Sequence, residues 1–243
     1  MKIVAIIQAR MRSTRLPGKV MLDLGGETVL ARVVRRVQRS TLINIVEVAT
    51  TTGRSDEKII DEAARLGVSA FAGSEDDVLD RYWQTSRKSG AEVVVRITAD
   101  CPVIDPELID ETIHVFLNQQ ADYASNSIVP SYPRGLDTEV FTAKALEKAW
   151  KNASKPYERE HVTPYFYQHP GLFRLASVAN KTDYSQYRWT LDTPEDLQLI
   201  RAIYDHFAGQ NDFTWREVLR LVEHQPVLTA INAHVRQKQL QEK

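Results

Sequence analysis

Two hydrophobic periods alternate through residues 1–120, and this alternation restricts the fold more than any single motif does. "KIVAII" is a continuous apolar run of strand length. "TVLARVVRRVQRS" places Val29, Val33 and Val37 at helical spacing, with Arg35, Arg36 and Arg39 on other faces. "NIVEVATT" returns to a strand. "SDEKIIDEAARLG" reads as a helix, with Ser55 as N-cap, Asp56 and Glu57 at the positive end of the dipole and Gly67 at its stop. "VSAFAG" is a short strand, "EDDVLDRYWQTSRKSG" a helix closed by Gly90, "AEVVVRIT" a strand, and "PELIDETIHVFLNQQ" a helix with Pro106 in its first turn. Strand–helix repeats at this spacing require parallel strands joined by right-handed crossovers. The expected fold is therefore α/β, a doubly wound, mostly parallel, Rossmann-like sheet.

After Ala121 the rhythm changes. "SNSIVPSYPRGLDTEVFT" carries Pro130, Pro133 and Gly135 ahead of a strand-like "LDTEVFT". Helices are expected at "AKALEKAWKNAS" and around "PYEREHVTPYFYQHP", and strands at "LFRLASVAN" and "YRWTLD". "TPEDLQLIRAIYDHF" is a helix with a capping box, Thr193 with Asp196 in place of the usual Glu, and Pro194 at the first helical position. "FTWREVLRLVEHQPVLTAINAHVRQKQ" reads as two helices broken near Pro226. No composition break marks a linker, so residues 1–243 are read as one domain, with 121–190 as an inserted lid or small subdomain within it and a helical C-terminal tail.

"QARMRSTRLPGK" raises the question of function. Arg10, Arg12, Arg15 and Lys19 follow the first strand, and no acid appears before Asp23. The whole chain offers no matching field: Lys+Arg number 31 and Asp+Glu 32, which disfavours a nucleic-acid or anionic-membrane surface. In a doubly wound sheet, ligands bind beyond the carboxyl ends of the strands where strand order reverses. The first strand and "VVVRIT" are expected side by side there, with the cationic loop facing Asp100 of "ADCPVID". Cations opposite an aspartate suit a polyphosphate bridged by a divalent metal. The loop has neither the P-loop spacing nor G-x-G-x-x-G, so a dinucleotide cofactor is not expected. Cys101, the one cysteine, excludes an internal disulfide and reads as a small buried residue. The N-terminal apolar run is shorter than a signal-peptide core or a membrane span, and a cytoplasmic protein is expected.

"QARMRSTRLPGK" closely resembles the signature loop of the cytidylyltransferases that activate acidic sugars, among them the CMP-Kdo and CMP-acylneuraminate synthetases. Within that family the chain most resembles the spore-coat polysaccharide cytidylyltransferase-like subgroup. Further matches follow in order: "AGSEDDVLDRY", "VRITADCPVID", "RGLDTEVF", "EREHVTPY" and "LDTPEDL". The resemblance covers nearly the whole chain and implies a nucleotidyltransferase-type fold. It implies attack of an acidic acceptor on the α-phosphorus of CTP, with Mg²⁺ as cofactor and a homodimer as the assembly.

Carried over position by position, the resemblance puts Ala9, Arg10, Arg12, Ser13, Arg15 and Lys19 on the nucleotide. Arg10, Arg15, Lys19 and Asp100 become the catalytic set, and Asp100 and Asp192 the Mg²⁺ ligands. Arg12 stands where relatives often have a small residue. Asp192 immediately before a helix also suits that helix end, and Asp100 before "CP" suits a turn. Ser74, Asp77, Arg81 and Thr98 are candidates for the base, although Asp77 equally suits the first turn of a helix. The resemblance makes the inserted segment 121–190 the acceptor and dimer segment, with Arg134, Asp137, Glu139 and His161 as candidates for the acceptor. Tyr157, Tyr165, Phe166, Tyr167, Tyr187 and Trp189 are either a dimer contact or lid and core packing. Other readings are transfer from a different nucleoside triphosphate, a polyol phosphate or phosphonate acceptor, and a nucleotide-binding protein without turnover.

Overall fold

The apolar run at residues 3–7 has no polar face because both of its faces are covered. In the computed structural model, which describes residues 1–237, it forms β1 (Ile3–Gln8) inside a seven-stranded sheet. Ile3, Ala5 and Ile7 pack into one helical layer, while Val4 and Ile6 pack into the other. Each such burial contributes about 1.5–3 kcal/mol for a Val or Ile side chain.

The chain next makes a small hairpin, β2 (Asp23–Leu24) and β3 (Glu27–Thr28), that the hydrophobic pattern does not announce. Gly25 and Gly26 turn it with φ of 63° and 87°, values that favour glycine. Thr28 then caps α1 (Val29–Val37), accepting from the Ala31 N–H. There follow β4 (Ile45–Thr51), α2 (Glu57–Arg65), β5 (Ser69–Gly73), α3 (Val78–Ser89), β6 (Val93–Thr98) and α4 (Pro106–Asn118). β7 (Tyr123–Ser125), β8 (Glu139–Thr142), α5 (Ala143–Asn152), α6 (Pro156–His161), α7 (Pro164–Tyr167) and β9 (Leu175–Ser177) come next. The described chain closes with α8 (Pro194–His206), α9 (Trp215–His224) and α10 (Pro226–Ala230). Lys238 and Gln239, the end of the expected C-terminal helical pattern, lie outside the described residues.

The sheet order is β5-β4-β1-β6-β8-β7-β9. β5, β4, β1 and β6 are mutually parallel, and β8 joins β6 antiparallel. The chain leaves β1 toward β4 and β5, then returns to lay β6 on the other side of β1. The crevice beyond Gln8 and Thr98, which are register partners, is thus the switch point expected for a ligand. α1, α2 and α4 share one apolar cluster with the sheet, and α3, α5 and α7 share another. α8 and α9 build a third around Trp189 and Leu191.

Four expectations need revision. Residues 121–190 do not stand apart as a lid alone, since they supply β7, β8 and β9 to the main sheet. "YRWTLD" makes only an isolated bridge, Arg188 beside Arg134, because the pairing consists of two bonds at Arg134 alone: its N–H donates to the Tyr187 carbonyl at 3.0 Å and its carbonyl accepts from the Trp189 N–H at 2.7 Å. Ser55 does not cap α2. The chain enters that helix through a short 3-10 turn at Arg54–Asp56, and Asp56 points inward. Arg36 is buried rather than on an outer face. Its guanidinium donates to the carbonyls of Ile104 (2.6 Å), Asn211 (2.9 Å) and Phe213 (3.0 Å) and lies over the Phe213 ring. Arg32, also buried, donates to Leu24, Gly25 and Gly209 carbonyls. These two arginines tie α1 to the loop that follows Asp100 and to the C-terminal helices.

Candidate active site

The loop after β1 is held in shape by its own backbone. The Gly18 N–H donates to the Met11 carbonyl at 2.9 Å, and Gly18 sits at φ 69°. Asp56 anchors the other end, accepting from the Met11 N–H at 2.8 Å and from the Thr51 hydroxyl. The Ala9 N–H is taken by the Ala49 carbonyl, so Ala9 extends the sheet rather than offering a free donor. Ser13 accepts a long bond from the Leu16 N–H and shapes the turn.

Lys19 emerges from this loop between two carboxylates. Its Nζ is 2.7 Å from Asp100 Oδ2 and 2.6 Å from Asp192 Oδ1. Arg15 lies 3.0 Å from Asp192 Oδ2. The two aspartates, far apart in sequence, are locked together by main chain: the Leu191 N–H donates to the Asp100 carbonyl at 2.8 Å. Lys19 loses solvation in this position, and the two facing carboxylates more than offset that loss, raising its pKa. Burial pushes Asp100 up, but the Lys19 ammonium and the Thr98 side chain hold it below the usual carboxylate range.

Arg10 is exposed and has no ion-pair partner among the described residues. Arg12, also exposed, pairs with Glu75 at 3.2 Å. Of the four cations on this loop, Arg12, Arg15 and Lys19 are paired with carboxylates, and only Arg10 is uncommitted among the described residues. Cys101 is buried, and burial beside Asp100 pushes its thiol well up, which leaves it inert as a nucleophile.

The candidate base-binding residues are mostly engaged with the fold. Asp77 caps α3 through the Asp80 N–H at 2.9 Å, and its other oxygen pairs with Arg159. Ser74 accepts from the Asp77 N–H, and Arg81, buried, donates to the Ser74 carbonyl at 2.7 Å. The helix-start reading of Asp77 is the one realised in this structure. Thr98 stands half-buried at the switch point beside Cys101.

Of the acceptor candidates, Arg134 is exposed and Asp137 half-buried near the mouth, with the Gly135 N–H donating to Asp137 at 3.2 Å. Burial raises the Asp137 pKa against the lowering influence of Arg134. Glu139 is not available: it is buried, paired with Arg96, and accepts from the Tyr123 hydroxyl at 2.6 Å. His161 is half-buried at the last residue of α6, where its carbonyl accepts from the Thr163 N–H across a tight turn at Val162. Tyr165, Phe166 and Trp189 are core residues; Tyr157, Tyr167 and Tyr187 remain part-exposed.

Sequence reasoning missed Arg188, which lies 3.0 Å from Asp192 and 2.9 Å from Asp196. Its only signal was an arginine at i−4 from one acid and i−8 from another. Among the described residues no cluster of three or more His, Cys, Asp or Glu could hold a metal. Asp100 and Asp192 nevertheless fit one, because a single ammonium already bridges them. The fit is to Mg²⁺, which takes one or two carboxylates and fills its octahedron with phosphate oxygens and water.

A parallel-sheet switch point with a cationic loop on one side and two converging aspartates on the other defines a nucleotidyltransferase-type α/β protein. Comparison with known proteins narrows this. The cytidylyltransferase family model matches residues 4–225. Spore coat polysaccharide biosynthesis protein SpsF of Bacillus subtilis is 35% identical over 232 residues, covering 92% of this chain and 95% of that protein. The structure of a cytidylyltransferase from Leptospira borgpetersenii serovar Hardjo-bovis superposes with a TM-score of 0.90 at 35% identity, over 94% of this chain and 97% of the other. CMP:2-keto-3-deoxy-manno-octonic acid synthetase complexed with CTP shares the fold, with a TM-score of 0.63 at 20% identity over 85% of this chain and all of the other. The chain belongs to the cytidylyltransferase family and is a CTP-dependent nucleotidyltransferase. No described helix is long and apolar enough to cross a membrane.

Proposed function

We propose that the protein transfers CMP from CTP to an acidic sugar destined for cell-surface polysaccharide. The observation that carries this reading is the Lys19 bridge between Asp100 and Asp192 at the switch point, with Arg15 beside it and Arg10 exposed on the same loop. The name of the Bacillus subtilis relative and the carbohydrate acid named for the CTP-bound neighbour support the acceptor class.

An acceptor hydroxyl oxygen forms a bond to the α-phosphorus of CTP, the bond to the bridging oxygen of the β-phosphate breaks, and pyrophosphate leaves with that electron pair. The hydroxyl proton goes to Asp137, whose raised pKa suits a base. Arg10, Arg15 and Lys19 bind the triphosphate and neutralise charge growing on pyrophosphate. Arg15 and Lys19 must leave the aspartates to do so, as nucleotide binding exchanges one set of anions for another. Asp100 and Asp192 would hold Mg²⁺, which supplies charge neutralisation on the phosphates when bound. Arg134, exposed near Asp137, pairs with the acceptor carboxylate. A homodimer is the proposed assembly, with Tyr157, Tyr167 and Tyr187 as the aromatics left for a contact, and light scattering reads its mass.

Pyrophosphate release tests the reaction. Mg²⁺ is supplied with CTP, ATP, GTP or UTP in turn and a panel of acidic sugars, with Asp100→Asn as control. Release is expected with CTP and an acidic sugar only, and a fall of about a hundredfold or more in the variant. Release with a polyol phosphate or a phosphonate but no acidic sugar would move the reading to that acceptor class.

A further inference from the structure

Asp196 begins as a helix-capping residue and ends as something more. It is fully buried in the first turn of α8. A capping side chain at N3 needs only the N–H groups around the N-cap. This carboxylate accepts those, from Asp192 at 3.0 Å and Thr193 at 3.1 Å, and three more donors besides. Nε and Nη2 of Arg188 reach it at 2.9 and 3.0 Å, and the Asn232 amide at 2.8 Å. Asn232, itself buried, also donates to the Arg188 carbonyl at 2.9 Å.

Arg188 is shared. Its Nη2 also touches Asp192 Oδ2 at 3.0 Å. Two bonds to Asp196 against one to Asp192 keep the guanidinium seated on the buried acid. The charges also balance: Asp100, Asp192 and Asp196 face Arg15, Lys19 and Arg188. When Arg15 and Lys19 move to a triphosphate, Arg188 is the cation left beside Asp192. Without Asp196, Asp192 would be its one remaining carboxylate among the described residues.

We propose that Asp196, supported by Asn232, is a positioning residue for the Asp192 carboxylate. It fixes the Asp192 main chain and restrains Arg188, so that Asp192 stays open to a divalent cation. This rests on the reading of Asp100 and Asp192 as the metal-holding pair. Removing such an outer partner typically weakens metal binding ten- to a hundredfold.

The test uses Mn²⁺ as the probe, with the full-length protein, CTP present, and free Mn²⁺ read by electron paramagnetic resonance. Asp196→Asn keeps an oxygen for the Thr193 N–H but loses the charge that holds Arg188. The Mn²⁺ dissociation constant should rise about tenfold or more. Adding Arg188→Met to that variant should bring it back to within about threefold of the parent protein, because the competing cation is gone. A purely structural cap would not be rescued by deleting a second side chain. Unchanged affinity in Asp196→Asn, or a double variant as weak as the single one, overturns the proposal. Should Asp196→Asn not fold, Asn232→Ala removes one donor and leaves the carboxylate. Its affinity should fall about two- to fivefold, and no fall there overturns the proposal equally. If the parent protein takes up no Mn²⁺ with CTP, the metal pair itself is wrong and this inference falls with it. Uptake by the parent and by the variant alike would sink the inference alone.

Discussion

Replacing Lys19 by Met keeps a similar stem and deletes the ammonium between two carboxylates. The loss falls unevenly. Asp192 keeps Arg15 and Arg188, both at 3.0 Å, whereas Asp100 loses its one ion-pair partner among the described residues. Breaking a buried pair costs about 3–5 kcal/mol, because a charge is left uncompensated. Here the Asp100 side chain is 24% exposed and that of Lys19 11%, so water screens part of it and about 2–3 kcal/mol is expected. In a chain of 243 residues that lowers Tm by about 4–12 °C. The vacated position then suits a divalent ion. At a hundred times its dissociation constant, Mn²⁺ should return about 2.7 kcal/mol to the variant. Without nucleotide, the parent protein should gain less than about 2 °C from the same addition, because Lys19 already bridges the site. Calorimetric melting with and without Mn²⁺ reads both effects. A variant as stable as its parent, or equal metal responses in the two, would refute Lys19 as the resident counter-ion.

Three other perturbations separate binding from scaffolding. Asp77→Ala removes the α3 cap and the Arg159 pair, so urea unfolding should show a loss of about 1–2 kcal/mol. CTP affinity by titration calorimetry should stay within about threefold, and a tenfold loss would return Asp77 to the base pocket. Gly135→Ala places a Cβ 2.6 Å from the Trp189 carbonyl carbon at φ 105°, and should cost about 2–4 kcal/mol; an unchanged midpoint would contradict the close docking of 134–137 on 187–190. Asp137→Asn should slow transfer by about 10²–10⁴-fold with CTP affinity retained. Its effect on stability has the opposite sign. Burial raises the Asp137 pKa, so the folded state disfavours the carboxylate; stability gained as pH falls through that pKa, and complete below the ordinary carboxylate range, should vanish in the variant, which should be the more stable protein at pH 7. Equal pH profiles of stability for parent and variant would remove Asp137 as the base with a raised pKa.

Hydrophobic period alone carried the parallel half of the sheet, because β1 is apolar on both faces, β4 and β6 each turn an apolar face to the α1, α2 and α4 layer, and their helices carry clear stripes. It was silent on β2, β3 and β7, which are two or three residues long and shorter than any period can register. Arg32 and Arg36 were illegible for another reason. Their partners are backbone carbonyls as many as 177 residues away, and a carbonyl has no letter in the sequence. The cations after β1 looked unbalanced for the same kind of reason: Asp100 and Asp192 lie 81 and 173 residues beyond Lys19. Asp196 was visible as a cap because capping is local, and its hold on Arg188 and Asn232 was invisible because it is not. The resemblance of the loop motifs brought Asp100 and Asp192 forward together, and the geometry now shows what joins them. Glu139 was misread because its motif gives no hint of the half-buried Arg96 on the adjoining strand.

Phosphorus magnetic resonance on a mixture of protein, CTP, Mg²⁺ and an acidic sugar tests the central claim most directly. The account predicts loss of the three CTP signals, with pyrophosphate and one phosphodiester phosphorus appearing in equal amounts and only when the sugar is present. Pyrophosphate with free CMP but no phosphodiester, or CDP with inorganic phosphate, would contradict transfer at the α-phosphorus to a sugar.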